Sequence, residues 1–370
     1  MEVTIKELGE IITGNTPSKK TEEFWNSEDI CFVKPDIISE NGINEIFESN
    51  EYISEEAKKK ARVVSKDSIF ITCIGSIGKI GIALDGEYAF NQQINAIIPN
   101  DKILPKYLAY NLLYNRSRLI SIANAPVVPI INKSQFSDFA INIDSNKNKQ
   151  LEIVNVLDKL TYIIELRNDE LSALDDLIKA RFIELFGDPV SNPHGYPKVP
   201  LSELAEIKIG PFGSLLHKED YIVNGHALVN PSHIVDGEIS IDDKFTVSDD
   251  KFNQLSAYHL QEGDVVMGRR GEMGRCAVVQ TGGLLCGTGS LLIRTKGDVT
   301  ADYLQKIISF PSFKKTIENM AVGQTMPNLN VPIVSRFQII KPPIEVQKAY
   351  YTFVAQTDKS KLWGEMEVAA

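Results

Sequence analysis

Apolar and polar positions follow two different rhythms along the chain. Short apolar runs beside glycine-rich turns, Ile69–Ile74 and Val265–Met267, together with Ile94–Pro99 and Ser290–Thr295, predict strands. Pro105–Leu113 and Ala301–Ile308 carry apolar residues at helical spacing, so the regions around residues 70 and 270 both read as α+β. Between them the rhythm changes. From Gln150 to Phe186 there is neither Gly nor Pro, and Leu157, Ile164, Leu171, Ile178 and Leu185 recur every seven residues, with Leu160 and Leu174 three positions after two of them. That is the a/d seam of a helix-pairing heptad, with Arg167 and Arg181 at the other two d positions, and it stops at Gly187-Asp188-Pro189. At 1.5 Å per residue the predicted helix is ~55 Å long. A helix lying on a globular core is the plainer alternative, but core helices seldom run so far; a rod holding two domains at a set separation accounts for the length.

The two α+β regions are copies of one another. A shift of 196 residues places Glu7-Leu8, Glu10-Ile11 and Gly14 on Glu203-Leu204, Glu206-Ile207 and Gly210, and Ser18 on Ser214. The same shift carries Val33 and Pro35 onto Val229 and Pro231, Gly75 and Gly78-Lys79 onto Gly271 and Gly274-Arg275, and Tyr107-Leu108 onto Tyr303-Leu304. After a two-residue insertion, Pro129 and Asn132 fall on Pro327 and Asn330, and Phe139 and Ile141 on Phe337 and Ile339. Glycines and prolines held in register over so long a stretch imply a shared backbone, because both fix special geometry. The repeat is far longer than a solenoid unit, which makes it a duplicated domain. The organisation read from this is domain 1–142, central helix 143–195, domain 196–340 and a second helical segment 341–370.

In that last segment Gln347 precedes Tyr350, Tyr351 and Val354 as Gln150 precedes Ile153, Val154 and Leu157. The second helix is expected to pair with the first. It is shorter, and its end departs from the heptad, so the seam around Leu171 to Leu185 is expected to need another partner.

Composition narrows the function. The 370 residues carry a net charge of −10, which argues against a chain that coats polyanions indiscriminately. No segment is basic overall, so a DNA face would have to be built from local clusters. Lys19-Lys20, Lys58-Lys59-Lys60 with Arg62, and Arg269-Arg270 with Arg275 are the candidates, joined by Lys79 and, at the Pro-x-x-Asn loops, Asn132, Lys133, Gln324 and Asn330. Arg269 and Arg270 stand out because glycines flank them and a guanidinium can fork onto guanine O6 and N7. Cys31, Cys73, Cys276 and Cys286 form no CxxC pair, which suggests neither a zinc cage nor a disulfide framework, and fits reduced thiols in a cytoplasm. No apolar run approaches a membrane span, so no membrane partner is expected.

Catalytic motifs do not fit. Gly75-Ser76-Ile77-Gly78-Lys79-Ile80 lacks the first Gly of a phosphate loop, and Ile80 stands where the Mg²⁺-binding hydroxyl belongs. Gly268–Gly274 misses the dinucleotide pattern, and no Asn-Pro-Pro-aromatic or Asp-Pro-Pro-aromatic motif of a methyltransferase occurs. Pro35-Asp36 followed by Glu56 and Lys58 has the form of a metal nuclease, and a Mg-dependent nuclease using these three is the alternative reading. Their repeat equivalents, Ser232, Phe252 and Gln254, do not preserve it. His217, His226 and His233 match no metal-ligand spacing. No catalytic residue, metal or cofactor is therefore expected. A scaffold that dimerises through the rod without touching DNA is a third reading.

The stretches Leu8–Ser18, Phe32-Val33-Lys34-Pro35-Asp36, Ala180–Pro189 and Phe353–Lys361 resemble the specificity (S) subunit of type I restriction-modification systems, and the order of parts resembles it over nearly the whole chain. The resemblance implies two target recognition domains, each reading half of a bipartite double-stranded DNA site, and two helical regions forming an antiparallel coiled coil that sets the spacer. It also implies docking of two methyltransferase (M) subunits, with restriction (R) subunits joining the complex, and a chain that is not itself catalytic.

Overall fold

The computed structural model describes residues 1–123, 128–321 and 328–369. The chain divides into two units, Met1–Leu166 and Arg167–Ala370. In the first unit, β1 (Gly9–Thr13), β2 (Ile43–Ile46), β3 (Ile69–Thr72), β4 (Ile80–Ala83) and β5 (Ile94–Pro99) form a sheet of order β1-β5-β3-β4-β2. All pairings are antiparallel except that of β2 with β4. Strand β3 is buried at every position because the sheet is covered on both faces. Successive side chains point to opposite sides, so Ile69 and Ile71 join one apolar cluster with Leu8, Leu108 and Phe136, while Phe70 joins another with Tyr88 and Phe90. Helix α1 (Pro105–Tyr114) contributes Leu108 and Leu112 to the first cluster. The second cluster is closed by a four-stranded sheet in the order Tyr52–Ile53, Ile30–Val33, Glu87–Phe90, Val63–Ser65.

Helix α2 (Lys147–Phe186, 40 residues) belongs to both units. Its first half is rooted in the first: Gln150 is fully buried, Val154 packs on the core, and the Tyr110 hydroxyl donates to Asp158 Oδ1 at 2.7 Å. The helix ends at Gly187, whose φ of 67° suits glycine, and whose Cβ, if present, would lie 2.4 Å from Pro193 Cγ.

The second unit repeats the design. Strands β6 (Ala205–Ile209), β7 (Val265–Gly268), β8 (Cys276–Val278) and β9 (Ser290–Thr295) lie in the order β6-β9-β7-β8. Val265 and Met267 face a cluster with Tyr303 and Leu304 of α3 (Ala301–Ile308), and Val266 faces the opposite one. The copies differ at one edge. The counterpart of β2, Glu238–Ile239, pairs with Ile234–Val235 and does not extend the sheet.

Helix α4 (Ile344–Ala369) lies antiparallel against the second half of α2. Tyr350 meets Phe182 and Phe186 with ring centroids 5.5 Å apart in each case, and its hydroxyl donates to Ile178 O at 3.3 Å. Farther along, Lys361 Nζ lies 2.6 Å from Asp175 Oδ1, and Arg167 donates to Ser360 O. Ile178, Leu185 and Val354 pack on the unit's core. The seam from Leu171 to Leu185, expected to be left over, is therefore the half that α4 occupies, with Leu171 and Leu174 half-buried. The physical reason is that both helices are rooted in the same core, so pairing begins at that end. Exposed seam residues remain instead on the first half, with Leu160 50% and Ile164 47% exposed and Leu157 half-buried, whereas the exposed Leu177 and Ile183 of the second half lie off the seam. Among the described residues no helix is long and apolar enough to cross a membrane.

Candidate nucleic-acid interface

The two copies share one loop scaffold at the ends of their sheets, bond for bond. Gly14 N donates to Ile94 O and Gly210 N to Ser290 O, both at 3.0 Å. Cys73 N donates to Gln93 O at 2.8 Å and Arg269 N to Gly289 O at 3.0 Å. Ile131 N and Leu329 N donate at 2.9 Å to Cys73 O and Arg269 O. Isolated bridges join Ile74 to Ile130 and Arg270 to Asn328. Gly14 and Gly210 are required here, because a Cβ would lie 2.1 Å from Asn91 O in one and 2.0 Å from Gly287 O in the other. The hairpins between the paired strands turn on Gly75 and Gly271, at φ 77° and 80°.

On this common backbone the side chains diverge. In the first unit Cys73 is buried, its thiol pushed up to about 12 by desolvation, and Asn95 Nδ2 approaches its Sγ at 3.2 Å. Amides and hydroxyls surround it: Thr13 donates to Asn95 Oδ1 at 2.6 Å, Thr16 to Gln92 Oε1 at 2.8 Å, and Asn91 to Gln93 Oε1 at 2.9 Å. In the second unit the positions of Cys73 and Ile74 are Arg269 and Arg270. Arg269 is half-buried, with its Nε donating to Asn328 Oδ1 at 3.2 Å, and Arg270 is exposed. Burial, and after it the neighbouring Arg270 charge, holds the Arg269 guanidinium below its ordinary pKa.

Four of the other basic candidates are paired within the chain, whereas Lys59, Lys60 and Arg62 are exposed. Lys19 pairs with Glu51 and lies 3.5 Å from the Trp25 ring centre; Lys58 pairs with Glu87 and Glu55. Lys79 Nζ is 3.4 Å from Glu40 Oε1 and donates to Pro35 O at 3.3 Å. Arg275 pairs with Glu272 at 2.7 Å, and Glu272 also takes Lys314 at 2.9 Å; hydrogen bonds from these two cations push its carboxyl down to about 2. Lys20 and Lys133 are exposed. Asn132 and Asn330 are helix caps, accepting from Gln135 N at 2.9 Å and Ile333 N at 3.0 Å. Gln324 lies outside the described residues.

Asp36 and Lys58 of the alternative nuclease reading have separate ion-pair partners. Asp36 sits on a short turn with Lys34 at 3.8 Å, whereas Lys58 is tied to Glu87 and Glu55. No group of three or more His, Cys, Asp or Glu among the described residues could hold a metal ion. Two of the three histidines are held by the fold, with His233 Nδ1 2.8 Å from Leu228 O and His226 bonded to Asp249 and stacked on Phe252, while His217 is exposed. Sequence reading missed Asn328, whose role as the anchor of Arg269 depends on a bridge between residues far apart in the chain. The Pro-x-x-Asn repeat pointed at that loop but not at this residue.

The Type I restriction modification DNA specificity domain family matches residues 1–175 and again 193–362. The chain is 28% identical over 186 residues to the HindI specificity subunit of Haemophilus influenzae and 30% identical over 195 residues to the EcoR124I/EcoR124II specificity subunit of Escherichia coli. These matches cover 48% and 47% of the chain and 40% and 47% of the two relatives, so it spans less than half of either. The MjaIX specificity subunit of Methanocaldococcus jannaschii matches over 374 residues at 22% identity, 95% of the chain and 84% of the relative. In fold, the S subunit from M. genitalium superposes with a TM-score of 0.57 at 16% identity, covering 100% of this chain and 92% of that one. A solved chain of a type I restriction-modification system gives 0.66 at 15%, covering 100% and 93%. With both copies matched by the same domain and the whole fold shared, the chain belongs to the type I restriction-modification DNA specificity family.

Proposed function

We propose that this chain is the sequence-reading subunit of a type I restriction-modification complex. The modules at 1–142 and 196–340 are its target recognition domains, each reading half of a bipartite DNA site. The helical segments 143–195 and 341–370 pair as an antiparallel coiled coil, set the spacer and dock two methyltransferase subunits, which restriction subunits join in the cytoplasm. The chain itself is not catalytic. A duplicated backbone scaffold whose side chains differ between copies carries this reading. Two identical readers would demand a symmetric site, whereas one scaffold with two sets of side chains suits two different half-sites. A relative of the same fold was solved in work on complex assembly and conformational transition of a type I system, which is in keeping with a partner-dependent role. Co-expression with the cognate methyltransferase and sequencing of modified bases in the host DNA tests it. A bipartite methylated motif that depends on this chain is expected; its absence with an active methyltransferase present would overturn the proposal.

A further inference from the structure

The hairpin that carries Arg269 and Arg270 holds two cations that its fold does not neutralise. Its ion pairs are Glu272 with Arg275 and with Lys314; among the described residues neither Arg269 nor Arg270 enters one. Two adjacent guanidinium groups, one half out of water, repel each other and lose hydration. Packing does not require them. The first unit builds the same turn, with the same backbone bonds and bridge, on Cys73 and Ile74. A charged pair that the scaffold can do without, and whose charge the scaffold leaves uncompensated, belongs to a ligand that supplies the missing acceptors.

Geometry divides the two. Arg269 is fixed at three points: its N–H on Gly289, its carbonyl on Leu329 and its Nε on Asn328. With Nε anchored, the two terminal nitrogens have no hydrogen-bond partner among the described residues, and the free nitrogens of a guanidinium form a fork that matches the O6 and N7 acceptors of guanine in the major groove. Arg270 is exposed on the bridge beside it, and Gly271 follows with open space where a side chain would be, so a duplex can approach closely. An exposed, unanchored guanidinium suits a phosphate, which needs charge more than orientation.

Resting on the specificity-subunit reading, we infer that Arg269 reads a guanine in the half-site of the second module while Arg270 binds a nearby phosphate, and that the first module lacks this reader. The variant Arg269→Cys with Arg270→Ile places on this turn the residues its counterpart already accepts, so folding is retained. It is assayed in the assembled methyltransferase complex beside Arg269→Ala and Arg270→Ala, on duplexes with each guanine in turn replaced by 7-deazaguanine, which lacks the N7 acceptor. For the wild type, one such replacement, confined to one half-site, weakens binding roughly 5- to 150-fold. Arg269→Ala is indifferent to that replacement and accepts other bases there. Arg270→Ala weakens binding evenly across sequences and lowers the salt slope by about 1. Unchanged base preference in Arg269→Ala, or a wild type insensitive to every replacement, overturns the inference while leaving the specificity role intact. A wild-type complex with no bipartite preference at all would instead overturn the role itself.

Discussion

Gln150 and Gln347 hold equivalent places at the roots of the two long helices. Each is fully buried, and each side-chain oxygen accepts from the backbone residue that opens a helix of its own unit, Leu104 at 2.8 Å and Thr300 at 3.0 Å. Their amide groups then donate to matching pairs of carbonyls, Lys102 and Asp144 in one unit and Asp298 and Pro342 in the other. A helix rooted this way cannot turn about its axis without stranding buried backbone groups. Replacing either Gln with Leu is expected to destabilise its unit by about 1–3 kcal/mol or more, because partners of the amide stay buried and unpaired. Chemical denaturation of each variant measures this, and a change near zero would show that water replaces the amide.

The aromatic cluster of Phe182, Phe186, Tyr303 and Tyr350 should dominate attachment of both helices to the second core. Phe186 meets Tyr303 at 5.0 Å between centroids, and burial raises the Tyr303 hydroxyl pKa. Phe186→Ala is expected to cost about 3–5 kcal/mol. Tyr350→Phe, which removes only the bond to Ile178 O, should cost about 0.5–1.5 kcal/mol. Thermal or denaturant melts rank the two, and equal losses would contradict the packing described.

Acid sensitivity should contain a contribution from Glu272. Its folded pKa is depressed from 4.5 to about 2 by Lys314 and Arg275. A depressed carboxyl stabilises the fold fully above its unfolded pKa and loses that stabilisation as pH falls through the folded value. The wild type should therefore lose stability relative to Glu272→Gln as pH drops from about 4.5 towards 2. Unfolding midpoints across that window provide the check; parallel curves would mean that solvent screens the pair.

The two halves of α2 should respond oppositely to substitution. Leu160→Asp and Ile164→Asp alter exposed positions, so stability should change by no more than about 0.5 kcal/mol, while co-purification with the methyltransferase subunit proposed to dock there should fall. Ile178→Asp places a charge against the core and should destabilise the chain itself. Light scattering of the mixed complex separates these outcomes, and full assembly of the Leu160 variant would move the partner surface elsewhere.

Much of the fold was legible in the chain because strong local signals agreed with the tertiary one. Ile69–Thr72 and Val265–Gly268 are strands, as the short apolar runs beside glycine-rich turns implied, and α2 stops at Gly187, where the left-handed residue was expected. The small sheets were less visible, since strands as short as Tyr52–Ile53 or Thr246–Val247 take their stability from neighbours and leave little pattern of their own.

Sequence by itself determined the duplication, the α+β modules and the heptad rod, because periodicity, glycine and proline act through backbone geometry within a few residues. Tertiary structure decided which half of the rod α4 covers and which cations are spent on internal partners. Lys19 and Lys79 looked like DNA ligands in the chain, and each meets a carboxylate brought from elsewhere in the fold. The reason is range. Spacing along the chain fixes which face a side chain occupies, whereas its electrostatic partner is set by loop packing between residues up to dozens of positions apart, as Asn328 shows for Arg269, 59 positions away.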